Sequence, residues 1–199
     1  MNAYVENTLH NKIKNHTASE HERLRAIIIG SDLFKNLNRY KKFILTQYYF
    51  HCDVQKLCIE HNINTLIPNI KCGERLKLLK RDLSDLLIIP KHNRFESAVI
   101  SNRFEALGWL YVSEGSTLGA AIILKGVEEG YCLSEHFGAR NLAAYPEGRA
   151  EYWNLFIKNL NSLQLNPEEE AALLNGALGA FKKFGLMLTS LDNIYSTYT

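Results

Sequence analysis

Two glycines one helical turn apart, Gly115 and Gly119, stand inside a mostly apolar, helix-periodic run, Ala106–Lys125. Each glycine inside a helix is less favourable than alanine by about 1 kcal/mol. A helix that accepts this usually lets something large press against its backbone. That partner is either another helix or a flat cofactor, and the neighbouring Ser116, Ala120 and Ala121 suit both. A second candidate, His21, lies on a separate amphipathic helix near the N-terminus. An imidazole can ligate a metal through one nitrogen while an acceptor fixes the other. Thr17 and Glu20 are placed to assist, and Lys14 lies two turns upstream on roughly the same face. The bland alternatives are a surface histidine and small-residue helix packing.

Other chemistry finds little support. His51 with Tyr48, Tyr49 and Asp53 reads as core aromatics with a polar edge. The chain contains no GxSxG, no phosphate-binding loop and no dinucleotide fingerprint. It also lacks the Glu-x-x-His spacing of a di-iron carboxylate bundle. Cys52, Cys58, Cys72 and Cys132 are irregularly spaced with no CxxC. They read as reduced thiols in a reducing compartment, not as a zinc site.

The elements that must position these residues are helices. Four prolines, Pro68, Pro90, Pro146 and Pro167, separate long stretches with a period near 3.6, and alternating runs are scarce. The periodicity predicts a first helix over Val5–Ile29, with Leu9, Ile13, His16 or Thr17, His21, Leu24 and Ile28 inward. Asn38 reads as the cap of a second helix, Arg39–His61, and residues 62–70 as a connector. A third helix, Cys72–Leu79, either continues to Leu87 or is followed by a short separate element. The glycine helix is expected from Glu96 to Gly130, a short turn at Ser134–Ala139, and another helix at Arg149–Leu160. Pro167 with Glu168, Glu169 and Glu170 opens a last helix to about Leu191.

A chain of 199 residues without repeats or linkers makes one helical domain, residues 1–199. A net charge of +2 with 22% charged residues gives no footprint for nucleic acid. The N-terminus lacks the layout of a signal peptide. The run from Ala106 is long enough to span a membrane, but Glu114, Ser113, Ser116 and Thr117 sit in its middle, so a core helix is expected.

With these residues in hand, the chain resembles the haem oxygenase family, in its bacterial, iron-acquiring branch. The blocks that carry the resemblance are Thr17–Leu24, Tyr40–Asp53, Gly108–Lys125 (GWLYVSEGSTLGAAIILK), Phe137–Leu142, and Pro146–Arg149 with Trp153. Together they cover about residues 10–185 in the family's order. The resemblance implies an all-α, single-domain bundle with haem b between the first helix and the glycine helix. It makes His21 the axial iron ligand and Gly115 and Gly119 the distal glycines beside dioxygen. Lys14 and Lys125 become partners for the haem propionates, with Ser116 and Tyr111 beside the haem. Arg140 either joins the distal polar network or packs outside it. Leu110 stands where many relatives carry an aromatic, which leaves the seating of the ring open. The implied reaction converts haem, with dioxygen and external electrons, to biliverdin, carbon monoxide and ferrous iron. The electrons would come from a ferredoxin, a flavodoxin or an NAD(P)H-dependent reductase. The resemblance further implies a cytoplasmic monomer with no nucleic-acid or membrane partner. The rivals are a haem carrier or sensor that does not degrade its ligand, and a thiaminase-like enzyme, for which Cys52 or Cys132 would be needed.

Overall fold

A computed structural model describes residues 7–92 and 94–195 of the chain, with side chains up to Leu191. Among these residues the helices are α1 Leu9–Gly30, α2 Leu37–Glu60, α3 Glu74–Asp85, α4 Arg103–Tyr131, α5 Arg149–Asn161 and α6 Pro167–Tyr195. Short 3-10 turns lie at Ile63–Thr65 and Arg140–Leu142. Strand-like pairing among the described residues is confined to isolated bridges from Ser134 to Phe137 and Gly138. The fold is an all-α bundle.

Short polar side chains set where helices begin. Thr8 Oγ1 accepts from Asn11 N at 3.3 Å and opens α1. The expected residues Val5 and Glu6 lie outside the described residues. Asn36, not Asn38, caps α2: its backbone is extended and its Oδ1 accepts from Arg39 N at 3.1 Å. Asn38 sits one residue into the helix, where its own backbone is already helical. Pro167 is the first residue of α6, and Asn166 with Glu169 forms a reciprocal capping box before it.

Two other boundaries depart from expectation. α3 runs unbroken from Glu74 to Asp85. α4 starts at Arg103, not Glu96, because Asn102 Oδ1 accepts from Phe104 N at 2.8 Å. Upstream carbonyls are taken by other elements: Glu96 O accepts from Lys183 Nζ at 2.8 Å, and Ile100 O lies 3.1 Å from His61 Nε2. Those carbonyls are not spent on helix bonds, and the segment stays extended.

α6 is the organising element. It packs along α4 and also against α1 and α2. Leu107 and Leu110 of α4 and Leu173, Ala177 and Ala180 of α6 are buried where the helices meet. Burial of each such leucine is worth roughly 1.5–3 kcal/mol. The tightest crossing is made by a glycine pair outside the expected one. A Cβ on Gly108 would lie 2.4 Å from Leu173 O, and one on Gly176 would lie 2.0 Å from Glu105 O. The two backbones touch there. α4 is also the one helix among the described residues long and apolar enough to cross a membrane. However, 56% of its most apolar window is buried inside the protein, and Glu114 is buried within it.

Candidate active site

α1 and α4 both lean on α6 but, among the described residues, do not pack along each other. They meet only through side chains at one end. His10 Nδ1 on α1 lies 3.0 Å from the Tyr111 hydroxyl on α4. Both rings rest against Trp153 of α5, with centroids 5.9 and 5.3 Å away. Burial, together with the nearby Lys14 charge, lowers the His10 pKa, so the ring stays neutral in this apolar corner. Beyond this corner, Lys14 and His21 of α1 and Ser116 and Gly119 of α4 are exposed.

His21 stands on this exposed part of α1. Its side chain is 60% exposed, where an inward position was expected. It rests edge-on against Phe181 of α6, with centroids 5.7 Å apart. Its Nδ1 lies 3.4 Å from Glu22 Oε1. Among the described residues the ring has no other polar partner, which leaves Nε2 without one. The expected helpers are otherwise engaged: Thr17 Oγ1 donates to Ile13 O at 2.8 Å, and Glu20 accepts from Arg23 Nε at 2.7 Å. Glu22 takes the place proposed for them.

The glycines of α4 divide into two kinds. A Cβ at Gly119 would meet nothing within 4 Å. Its neighbours Leu118 and Ile122 are 44% and 74% exposed, unusual for large aliphatics. Gly115 faces the closed corner, where a Cβ would lie 3.2 Å from the Trp153 indole. Gly119 therefore leaves an open apolar wall, whereas Gly115 makes room for a tryptophan.

Three comparisons with known proteins bear on this arrangement. The family model described as Heme oxygenase matches residues 7–190. The chain belongs to the haem oxygenase family. It is 35% identical over 173 residues to Heme oxygenase PigA of Pseudomonas aeruginosa, covering 86% of this chain and 87% of that one. The fold superposes with a TM-score of 0.86 on the NO- and CO-bound heme oxygenase of Neisseria meningitidis. The two are 31% identical, with 93% of this chain and 92% of that one covered. The heme oxygenase of Leptospira interrogans shares the fold at a TM-score of 0.67 and 16% identity, covering 92% and 99%.

The residues present in this haem oxygenase fit a haem between α1 and α4. An accessible imidazole, the Phe181 edge, a wall without a side chain at Gly119 and the exposed Leu118 and Ile122 offer one nitrogen donor among apolar surfaces. Lys125 is 76% exposed and 3.9 Å from Glu129, while Lys14 is exposed on α1. Tyr111 is buried in the closed corner. Ser116 Oγ donates to Ser113 O at 2.7 Å and accepts from Arg75 Nη1 at 2.8 Å.

Arg140 is held in an ion pair with Asp82 and Asp85 of α3. This pairing ties the Arg140 side chain to α3. Asp82 is fully buried and accepts from Arg140 N at 2.9 Å and Asn141 N at 2.8 Å, tying the 140–142 turn to α3.

A buried polar layer backs α4. Arg75 Nη1 donates to Ser113 O at 2.8 Å, and the Tyr145 hydroxyl donates to Glu114 Oε2 at 3.1 Å. Burial raises the Glu114 pKa against the opposing pull of Arg75, Tyr145 and Lys71. His51 is enclosed beside this layer, and burial with the Arg75 charge lowers its pKa well below the ordinary value. Its Nε2 is buried with no hydrogen-bond partner among the described residues.

Sequence reasoning did not single out Phe181, His10 or Arg75. Gly176 was visible as an Asn-Gly step inside a helical pattern. Its alignment with Leu173, Ala177 and Ala180 on one face is the signal of a close crossing. A cavity of about 760 Å³ lies away from His21. It is lined by the end of α2, the 62–74 segment and residues 144–146.

Proposed function

We propose that this chain cleaves haem to biliverdin, carbon monoxide and ferrous iron, using dioxygen and electrons from an external donor. The observation that carries the reading is the exposed His21 imidazole on α1, with Nε2 unpartnered, combined with the open, side-chain-free position of Gly119 on α4. Membership of the family supports it. Haem is both the substrate and the source of the iron at which dioxygen is activated.

The protein's own contribution is positional. His21 Nε2 would hold the iron, with Glu22 beside Nδ1 orienting the ring. Phe181 supports the imidazole edge, while Leu118 and Ile122 exclude water from the ring faces. At Gly119 a bulky side chain would occupy the space that the small reacting ligand needs. Lys14 and Lys125 reach the propionates as exposed cations, a pairing of carboxylate with ammonium. Buried Arg75 and Glu114, with Arg75 bonded to the exposed Ser116, fix the back of the helix.

We further propose an iron-supplying role in the cytoplasm, with a ferredoxin, a flavodoxin or an NAD(P)H-dependent reductase as donor. The free state of Cys52, Cys58, Cys72 and Cys132 favours a reducing compartment. The test is reconstitution with hemin followed by supply of electrons in air. A Soret band that decays as biliverdin accumulates, with free ferrous iron, is expected. A stable Soret band under the same conditions would assign the chain to haem carriage or sensing.

A further inference from the structure

We propose that Cys58 and Cys72 form a reversible dithiol–disulfide site that reacts with hydrogen peroxide, with Cys72 as the attacking thiol and Cys58 as the resolving one. Cys58 lies in the last turn of α2 and is 4% exposed. Cys72 precedes Gly73, the residue that caps α3, and is half-buried. Both line the 760 Å³ cavity, and each thiol bears on the ionisation of the other. Two cysteines from different elements meet there at one opening to solvent.

The environment separates their roles. The Cys58 thiol beside it holds the Cys72 thiol below its ordinary pKa, against burial and the Glu114 charge. Cys72 and burial push Cys58 up. The N-terminal end of α3, a helix of 12 residues, adds its positive partial charge behind Cys72. Lys71 is adjacent in sequence, with its ammonium held by Glu147 at 2.7 Å. A more accessible, more acidic thiol backed by a sheltered neighbour is the arrangement that two-step peroxide chemistry requires. The remaining cysteines differ: Cys52 is hydrogen-bonded to Tyr48, and Cys132 is exposed at the end of α4.

In the first step the Cys72 thiolate attacks one oxygen of hydrogen peroxide and the O–O bond breaks. A sulfenic acid forms on Cys72, and the departing hydroxide takes a proton to become water. The Cys58 sulfur, after losing its proton, then attacks the Cys72 sulfur and expels a second water. The two thiols lose two electrons in total and the peroxide gains them; an external dithiol reverses the change. The product would tie the end of α2 to the start of α3. Arg75, three residues beyond Cys72, reaches Ser113 O and Ser116 Oγ on α4, so the bond would fix the joint that supports the glycine helix.

The test uses the full reduced chain, treated with equimolar hydrogen peroxide, blocked with iodoacetamide and digested with trypsin. A linked pair of the peptides Leu57–Lys71 and Cys72–Arg75 is expected. The intact mass should fall by about 2 Da, and dithiothreitol should restore it. In Cys58→Ser the sulfenic acid on Cys72 should persist and be trapped by dimedone. Cys72→Ser should abolish the linked pair without oxidation appearing at Cys58. Full alkylation of Cys58 and Cys72 in the treated wild type, with oxidation confined to Cys132 or Cys52, would overturn the proposal. The wild-type linkage map decides the matter even if a serine variant does not fold.

Discussion

His21 and Gly119 make opposite demands on substitution. His21→Ala removes the axial nitrogen but leaves the apolar walls. Its hemin complex is expected to retain weak binding, lose the histidine-ligated absorption spectrum and fall by at least about 100-fold in biliverdin formation. Unchanged spectra and yields in that variant would remove His21 from the site. At Gly119 the open space makes alanine cheap for the fold: stability should hold or rise by up to about 1 kcal/mol through helix propensity. Leucine there should leave hemin affinity nearly intact while depressing turnover, as read by a hemin titration beside a biliverdin assay. Normal turnover in Gly119→Leu would mean that no reacting ligand sits against this wall. Both residues were readable as candidates beforehand: a glycine in an apolar helix, and His21, one of three histidines on an amphipathic one. Their surroundings were not. Glu22 in place of Thr17 or Glu20, and Phe181 from the far end of the chain, depend on a contact between α1 and α6 that no local pattern encodes.

Helix crossings account for the division of labour among the glycines. Gly108→Ala and Gly176→Ala each drive a methyl into backbone at the α4–α6 contact. Each is expected to cost about 2–3 kcal/mol in urea unfolding, since backbone cannot move aside as a side-chain tip can. An effect under about 0.5 kcal/mol for both would mean the helices do not meet there. The joint between α3 and the 140–142 turn makes a second case. Asp82→Ala strands the amides of Arg140 and Asn141 and leaves Arg140 with Asp85 alone, so a loss of about 3–5 kcal/mol is expected. The α2 and α4 starts show why boundaries were harder than existence. Periodicity announces a helix, but at these two starts the capping residue has extended backbone and an amide within reach. Asn36 and Asn102 meet that condition, and Asn38 and Glu96 do not.

The whole molecule is a bundle in which one long C-terminal helix carries two others apart from each other. Behind α4 the bundle buries an ionisable layer, and this leaves a signature in stability. Folded Glu114 keeps its proton to a higher pH than the unfolded value of 4.5. As pH rises from that value through the raised folded one, the unfolded chain releases a proton that the folded chain retains, and stability falls. Glu114→Gln lacks this dependence. The stability of wild type minus variant should therefore decline across that window and level off above it, in urea melts at a series of pH values. A difference independent of pH would mean Glu114 titrates normally in the fold. The central claim concerns where the iron sits, and the protein has two places to compare: the α1–α4 cleft and the cavity at Cys58 and Cys72. Anomalous diffraction at the iron edge from crystals of the hemin complex locates it directly. A peak within bonding distance of His21 Nε2, facing Gly119, is the expected result; an iron peak in the Cys58–Cys72 cavity, or bound by another residue, would contradict it.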